Sequence, residues 1–120
     1  MRAPLPLEDL TVSRFLRRTA RRFPDRPALE YKGRIWSYQE LDQAVDRTAR
    51  RLRCWGVEPG DRVGLWCEGE PNTVFLLYAL PRIGAVAALL NTSLRRLELA
   101  QLLCRTQIRR LIVTDGYKEL

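Results

Sequence analysis

Apolar positions near the start of the chain recur with a helical period. Val12, Phe15, Leu16, Thr19, Ala20 and Phe23 fall at i, i+3, i+4, i+7, i+8 and i+11, and Arg14, Arg17, Arg18, Arg21 and Arg22 fill the positions between them. The spacing predicts an amphipathic helix that follows Thr11 as N-cap and stops at Pro24. Ala28–Tyr31 and Arg34–Ser37 then read as two short strands joined at Lys32-Gly33, a hairpin turn. Ser37-Tyr38-Gln39-Glu40 is a capping box, in which the Ser hydroxyl accepts from the N3 amide and the Glu carboxylate accepts from the cap amide. A second helix therefore begins at Tyr38. Its apolar stripe is Leu41, Ala44, Val45, Thr48, Ala49 and Leu52, and Gly56 is placed to take the left-handed conformation just past its end. Arg47, Arg50, Arg51 and Arg53 gather in the C-terminal half, where positive charge suits the helix dipole.

After Glu58-Pro59-Gly60-Asp61 the pattern changes. Arg62–Cys67 reads as a buried strand, Pro71–Leu80 as a helix with Pro71 at its first position, and Ala85–Leu90 as a continuous apolar strand. A helix over Arg96–Arg105 and a strand over Arg110–Thr114 follow. Pro81 is expected to kink or shorten the helix before it. The fold class is α/β: an N-terminal helix and small β-hairpin, then a β-α-β-α-β unit with right-handed crossovers and a parallel sheet. About three strands that are apolar on both faces need more covering layers than this length supplies. Exposed apolar surface is expected around Val74–Leu90, and with it a tendency to aggregate.

Composition changes the picture mainly by exclusion. The chain has 120 residues, a hydrophobic fraction of 46% and no His. One domain with a core fits that length, while the missing imidazole removes the usual general base, the usual zinc ligand, and every Ser-His-Asp or Cys-His arrangement. The net charge of +7 comes from 21 basic and 14 acidic residues scattered over both halves. Only Lys32 and Lys118 among the basic residues are Lys, a skew that fits coding bias better than phosphate binding, so no nucleic-acid partner is expected. Cys54, Cys67 and Cys104 are odd in number and far apart, which suggests neither a disulfide framework nor a metal clip and fits the cytoplasm. The N-terminus lacks the apolar run of a signal peptide, and Val74–Leu90 is too interrupted to be a transmembrane segment.

In an open parallel sheet the ligand crevice lies beyond the carboxyl ends of the strands. The positions to search are Cys67-Glu68-Gly69-Glu70, Leu90-Asn91-Thr92-Ser93 and Asp115-Gly116. Each has a structural explanation that weighs more than a chemical one. Glu68 and Glu70 precede a helix whose positive end carboxylates stabilise, Cys67 has no base near it in sequence, and Asn91 and Thr92 suit a chain turning out of a strand. Neither Gly-x-x-x-x-Gly-Lys nor Gly-x-Gly-x-x-Gly occurs. No catalytic, cofactor-binding or metal-ligating residue is assigned.

Several segments in order nevertheless resemble one family. They are Phe23-Pro24-Asp25-Arg26-Pro27-Ala28-Leu29, Trp36-Ser37-Tyr38-Gln39-Glu40-Leu41, Gly56-Val57-Glu58-Pro59-Gly60-Asp61-Arg62-Val63, Ile83-Gly84-Ala85-Val86-Ala87 and Leu90-Asn91-Thr92, followed by the Glu98-Leu99 helix. Together they look like the opening of the AMP-forming acyl-CoA synthetases, members of the ANL adenylating superfamily. The resemblance implies that residues 1–120 form an incomplete part of the large N-terminal domain of such an enzyme. It implies a two-step reaction: a carboxylate attacks ATP to give an acyl-adenylate and pyrophosphate, and the thiol of coenzyme A then displaces AMP. ATP, magnesium, coenzyme A and a carboxylic acid are expected for the complete enzyme, and the remainder of that enzyme is the expected partner. The family's phosphate loop, adenine-binding segment and catalytic Lys have no counterparts here, so scaffold without catalysis is expected of this part. Gly69, Pro81 and Arg95-Arg96 depart from the family pattern. The Leu89-Leu90-Asn91-Thr92 run looks most like o-succinylbenzoate-CoA ligases of menaquinone synthesis; long-chain fatty acyl-CoA ligases and fatty-acid transport-type synthetases have similar stretches. A non-catalytic α/β interaction domain is the alternative from another class.

Overall fold

The computed structural model describes residues 12–67, 69–90 and 95–113. Their elements, in chain order, are α1 (Val12–Arg22), β1 (Pro27–Tyr31), β2 (Arg34–Ser37), α2 (Tyr38–Cys54), β3 (Arg62–Trp66), α3 (Pro71–Arg82), β4 (Val86–Leu89), α4 (Arg96–Thr106) and β5 (Arg110–Val113). β1 and β2 form the expected antiparallel hairpin, with Leu29 opposite Trp36 and Tyr31 opposite Arg34. Lys32 and Gly33 both have positive φ, as a tight primed turn requires.

The other three strands form a parallel sheet in the order β4-β3-β5. Val63 stands opposite Ala87 on one side and Arg110 on the other, and Leu65 opposite Leu89 and Ile112. The chain leaves β3 for one neighbour through α3, then passes back over β3 through α4 to reach the other. With the right-handed sense that such parallel connections take, two crossovers in opposite directions put their helices on opposite faces of the sheet. On one face Val63, Leu65 and Cys67 pack with Val45, Ala49 and Leu52 of α2 and Leu76, Ala79 and Leu80 of α3. On the other face Gly64 leaves little room: a Cβ there would lie 3.1 Å from both Leu90 and Leu111. α4 buries only Leu99. The expected apolar exposure is present on β4, where Val86 and Leu89 are 50% and 61% exposed, whereas Leu76, Ala79 and Leu80 in α3 are buried.

The capping box at α2 forms in both directions. Glu40 N donates to Ser37 Oγ at 3.1 Å, and Ser37 N donates to Glu40 Oε1 at 3.1 Å. At the other end of α2, Gly56 N reaches Arg53 O and Val57 N reaches Leu52 O, the paired bonds of a Schellman motif. α3 ends in the same way, with Gly84 N on Pro81 O and Ala85 N on Leu80 O. Gly56 and Gly84 have φ of +96° and +80°, a region in which a Cβ is strained. The two turns are also fastened together: Gly60 N donates to Gly84 O at 2.8 Å, and Pro59 packs against Gly84.

Two expectations need correction. The buried face of α1 is Ser13, Leu16 and Ala20, while Val12 and Phe15, both on the predicted stripe, are exposed. The helix is turned toward Ser13 because that residue meets a buried guanidinium. α3 also runs through Pro81 to Arg82 rather than stopping at Leu80. Pro81 lies so close to the end that its missing N–H removes one helical bond and no more.

Arg82 is the residue that Ser13 meets. Its Nε donates to Ser13 Oγ, Nη1 to Asp42 O and Asp46 Oδ1, and Nη2 to Ser13 O and Asp42 Oδ1. Five N–H donors thus make five bonds, and the side chain is 12% exposed. Arg17 of α1 joins from the solvent side, 2.6 Å from Asp46 and 3.6 Å from Asp42. One cation thereby fixes three helices.

Truncating Arg82 leaves two carboxylates and two Ser13 acceptors without their donor. Arg17 remains to screen the carboxylates, so Arg82→Ala is expected to lower unfolding free energy by about 2–3 kcal/mol, read as a shift of the urea midpoint. Glu40 gives a pH dependence. The Ser37 backbone amide, then the Ser37 side chain and Arg34, hold its carboxyl below the ordinary value of 4.5. A depressed folded value stabilises above the ordinary one and is lost as pH falls through the folded one. The advantage of the native chain over Glu40→Gln should therefore be present at neutral pH and vanish in acid, as read from denaturation midpoints at each pH.

Candidate functional site

The crossovers leave β3 and enter β5 in opposite senses, so the topological switch point lies between these two strands at their carboxyl ends. Cys67 follows β3 at that point. It is 8% exposed, and its Sγ–H donates to Ile112 O on β5 at 3.4 Å. The thiol ties the two strand ends together as a small, weakly donating core group. Glu70 is the N-cap of α3; its carbonyl accepts from Thr73 N at 3.0 Å, and its side chain makes no capping bond. The structure thus brings Cys67 and Glu70 to one end of the sheet. Glu68, Asn91, Thr92, Ser93, Asp115 and Gly116 lie outside the described residues.

At the opposite end, around the amino ends of β3 and β5, there is an open groove of about 290 Å³ lined by Gly60, Asp61, Arg62, Gln107, Arg109 and Arg110. Arg62 Nη1 donates to Thr106 O, the last residue of α4, at 2.9 Å. Arg110 Nη1 lies 3.3 Å from Asp61 Oδ2, and its guanidinium carbon is 5.4 Å from the centre of the Trp55 ring. Asp61 Oδ2 also accepts from Glu58 N at 2.8 Å. Sequence motifs gave no sign of this groove, because its arginines come from strand starts more than forty positions apart. The available signal was a basic residue at the start of each of two strands that a parallel sheet aligns.

Among the described residues no group of three or more His, Cys, Asp or Glu is arranged to hold a metal ion. Nor is any described helix long and apolar enough to cross a membrane.

Comparison with known proteins completes the picture. The sequence matches the AMP-binding enzyme family over residues 16–120. The chain belongs to that family. It is 28% identical over 108 residues to the 2-succinylbenzoate–CoA ligase of Listeria monocytogenes, covering 90% of this chain and 23% of that protein. It is 40% identical over 92 residues to the long-chain fatty acid transport protein 1 of Mus musculus, covering 75% of this chain and 14% of that one. Among solved structures it superposes on the N-terminal subdomain of Klebsiella oxytoca NpsA in complex with anthranilyl-AMSN, with a TM-score of 0.83, 30% identity, and coverage of 87% of this chain and 27% of that one. The mixed α/β architecture expected from the pattern is thus that of the N-terminal subdomain of adenylating enzymes. The chain spans between about a seventh and a quarter of the length of these two curated relatives.

The burial of the three thiols yields a direct check. Cys54 and Cys104 are exposed and Cys67 is buried. Two thiols per chain should react promptly with Ellman's reagent under native conditions and the third only on unfolding. Cys67→Ala should leave the prompt count at two.

Proposed function

We propose that this chain is the supporting N-terminal part of an ATP-dependent, AMP-forming acyl-CoA ligase, and that the enzyme's carboxylic acid is 2-succinylbenzoate. The observation that carries the reading is a family match running from residue 16 to residue 120. The chemistry follows from the poor reactivity of a carboxylate as acyl donor. Its oxygen attacks the α-phosphorus of ATP and expels pyrophosphate, which makes the acyl group part of a mixed anhydride. The thiolate of coenzyme A then attacks the acyl carbon and AMP leaves.

The residues of this chain support that reaction and do not perform it. The bond from Cys67 to Ile112 holds β3 and β5 together at the switch point, and the α2–α3 layer backs them from behind. Magnesium, which would offset phosphate charge, is assigned with ATP and coenzyme A to the rest of the enzyme. Three free thiols fit a reducing cytoplasm. The 2-succinylbenzoate assignment is favoured by the 90% coverage of this chain in the Listeria ligase match. A second reading, activation of a long-chain fatty acid, is favoured by the 40% identity to the murine transport protein.

The isolated chain should give no ATP–pyrophosphate exchange above a protein-free control with any carboxylic acid; turnover would overturn the scaffold role. The complete enzyme carrying this chain should release pyrophosphate with 2-succinylbenzoate and not with palmitate. The reverse preference would establish the second reading.

A further inference from the structure

We propose that the groove at the amino ends of β3 and β5 is a binding site for a phosphate-type dianion, either inorganic phosphate or a phosphomonoester. It lies at the end of the sheet opposite the switch point, so it is independent of the adenylation reading. Three guanidinium groups, Arg62, Arg109 and Arg110, line it against one carboxylate, Asp61.

The comparison with Arg82 shows why these arginines are available. Arg82 makes five hydrogen bonds and has no donor left for a ligand. In the groove Arg62 makes one, to Thr106 O, and Arg110 makes one, to Asp61. Among the described residues Arg109 makes none, and it is exposed. Each guanidinium carries five N–H donors in a planar fork, a shape that matches two oxygens of a phosphate at once. The bonds already present also serve recognition, since they hold Arg62 and Arg110 at the groove and reduce the ordering cost of binding. The nearby helix ends oppose an anion only weakly. Arg62 covers the last carbonyl of α4, and the Schellman amides of Gly56 and Val57 occupy two carbonyls at the end of α2. At about 290 Å³ the groove admits a phosphate group with a small substituent.

Equilibrium dialysis of radiolabelled inorganic phosphate against the 120-residue chain, at ionic strength held constant with sodium chloride, tests the site. Saturable retention of about one phosphate per chain is expected. Arg109→Glu should weaken it at least about tenfold by replacing a charge-assisted donor with a repelling carboxylate. Arg50→Glu makes the same change of net charge on the exposed face of α2, away from the groove, and should leave retention within about twofold. A parallel arm with glycerol 3-phosphate as competitor separates the two ligand forms: tighter competition than by unlabelled phosphate identifies a phosphomonoester site, and weaker competition a free phosphate site. Retention that does not saturate, or that falls equally in both variants, would overturn the proposal. Circular dichroism of each variant confirms that the fold is retained.

Discussion

The arrangement of the helical layer depends on one buried cation. Arg82 lies in the last turn of α3, and all five of its donors are engaged by Ser13, Asp42 and Asp46 on the two neighbouring helices. Apolar packing alone tolerates sliding of one helix over another, because it is non-directional. A planar fork with fixed donor directions does not. Burying such a group is expensive, and the cost is met only when every lone pair and proton finds its partner. The arrangement thus sets the rotation of α1, the position of α2 against α3, and indirectly the way both present themselves to β3.

The sheet depends on that layer. β3 is buried throughout apart from Arg62. One of its faces is covered by α2 and α3; the other, around Gly64, is closed by Leu90, Ile108 and Leu111. The flanking strands are less protected. Val86 and Leu89 on β4 and Leu97 on α4 are large and exposed. Apolar surface of this kind calls for a further covering layer.

Where a signal was local, the sequence was sufficient. The capping box at Ser37, the glycine after α2, the Lys32-Gly33 turn and the alternation of strand and helix after Asp61 all fall where the pattern placed them, because each follows from a few neighbouring residues. The phase of α1 was illegible for the opposite reason. A window of apolar spacing selects Val12 and Phe15, and only the tertiary position of Arg82 makes a serine the most buried residue of that helix. The same holds for the groove of arginines. Its members are joined by strand pairing, and the register that aligns Val63 with Arg110 is written in no short motif. The carbonyl partner of Cys67 on β5, Ile112 O, is likewise set by strand pairing and by no neighbouring residue.

The pinned turns at the foot of the sheet have a mechanical consequence. Both helix ends there close with glycine-based caps, and Gly60 and Gly84 are bonded across the gap between them. Strands β3 and β4 therefore rise from a common stiff base, much as two leaves of a spring share one clamp. The bond between Gly60 and Gly84 couples the starts of the two strands, so that a displacement of one is shared by the other. Register between β3 and β4 is thereby held at their starts, independently of the side chains farther along the two strands.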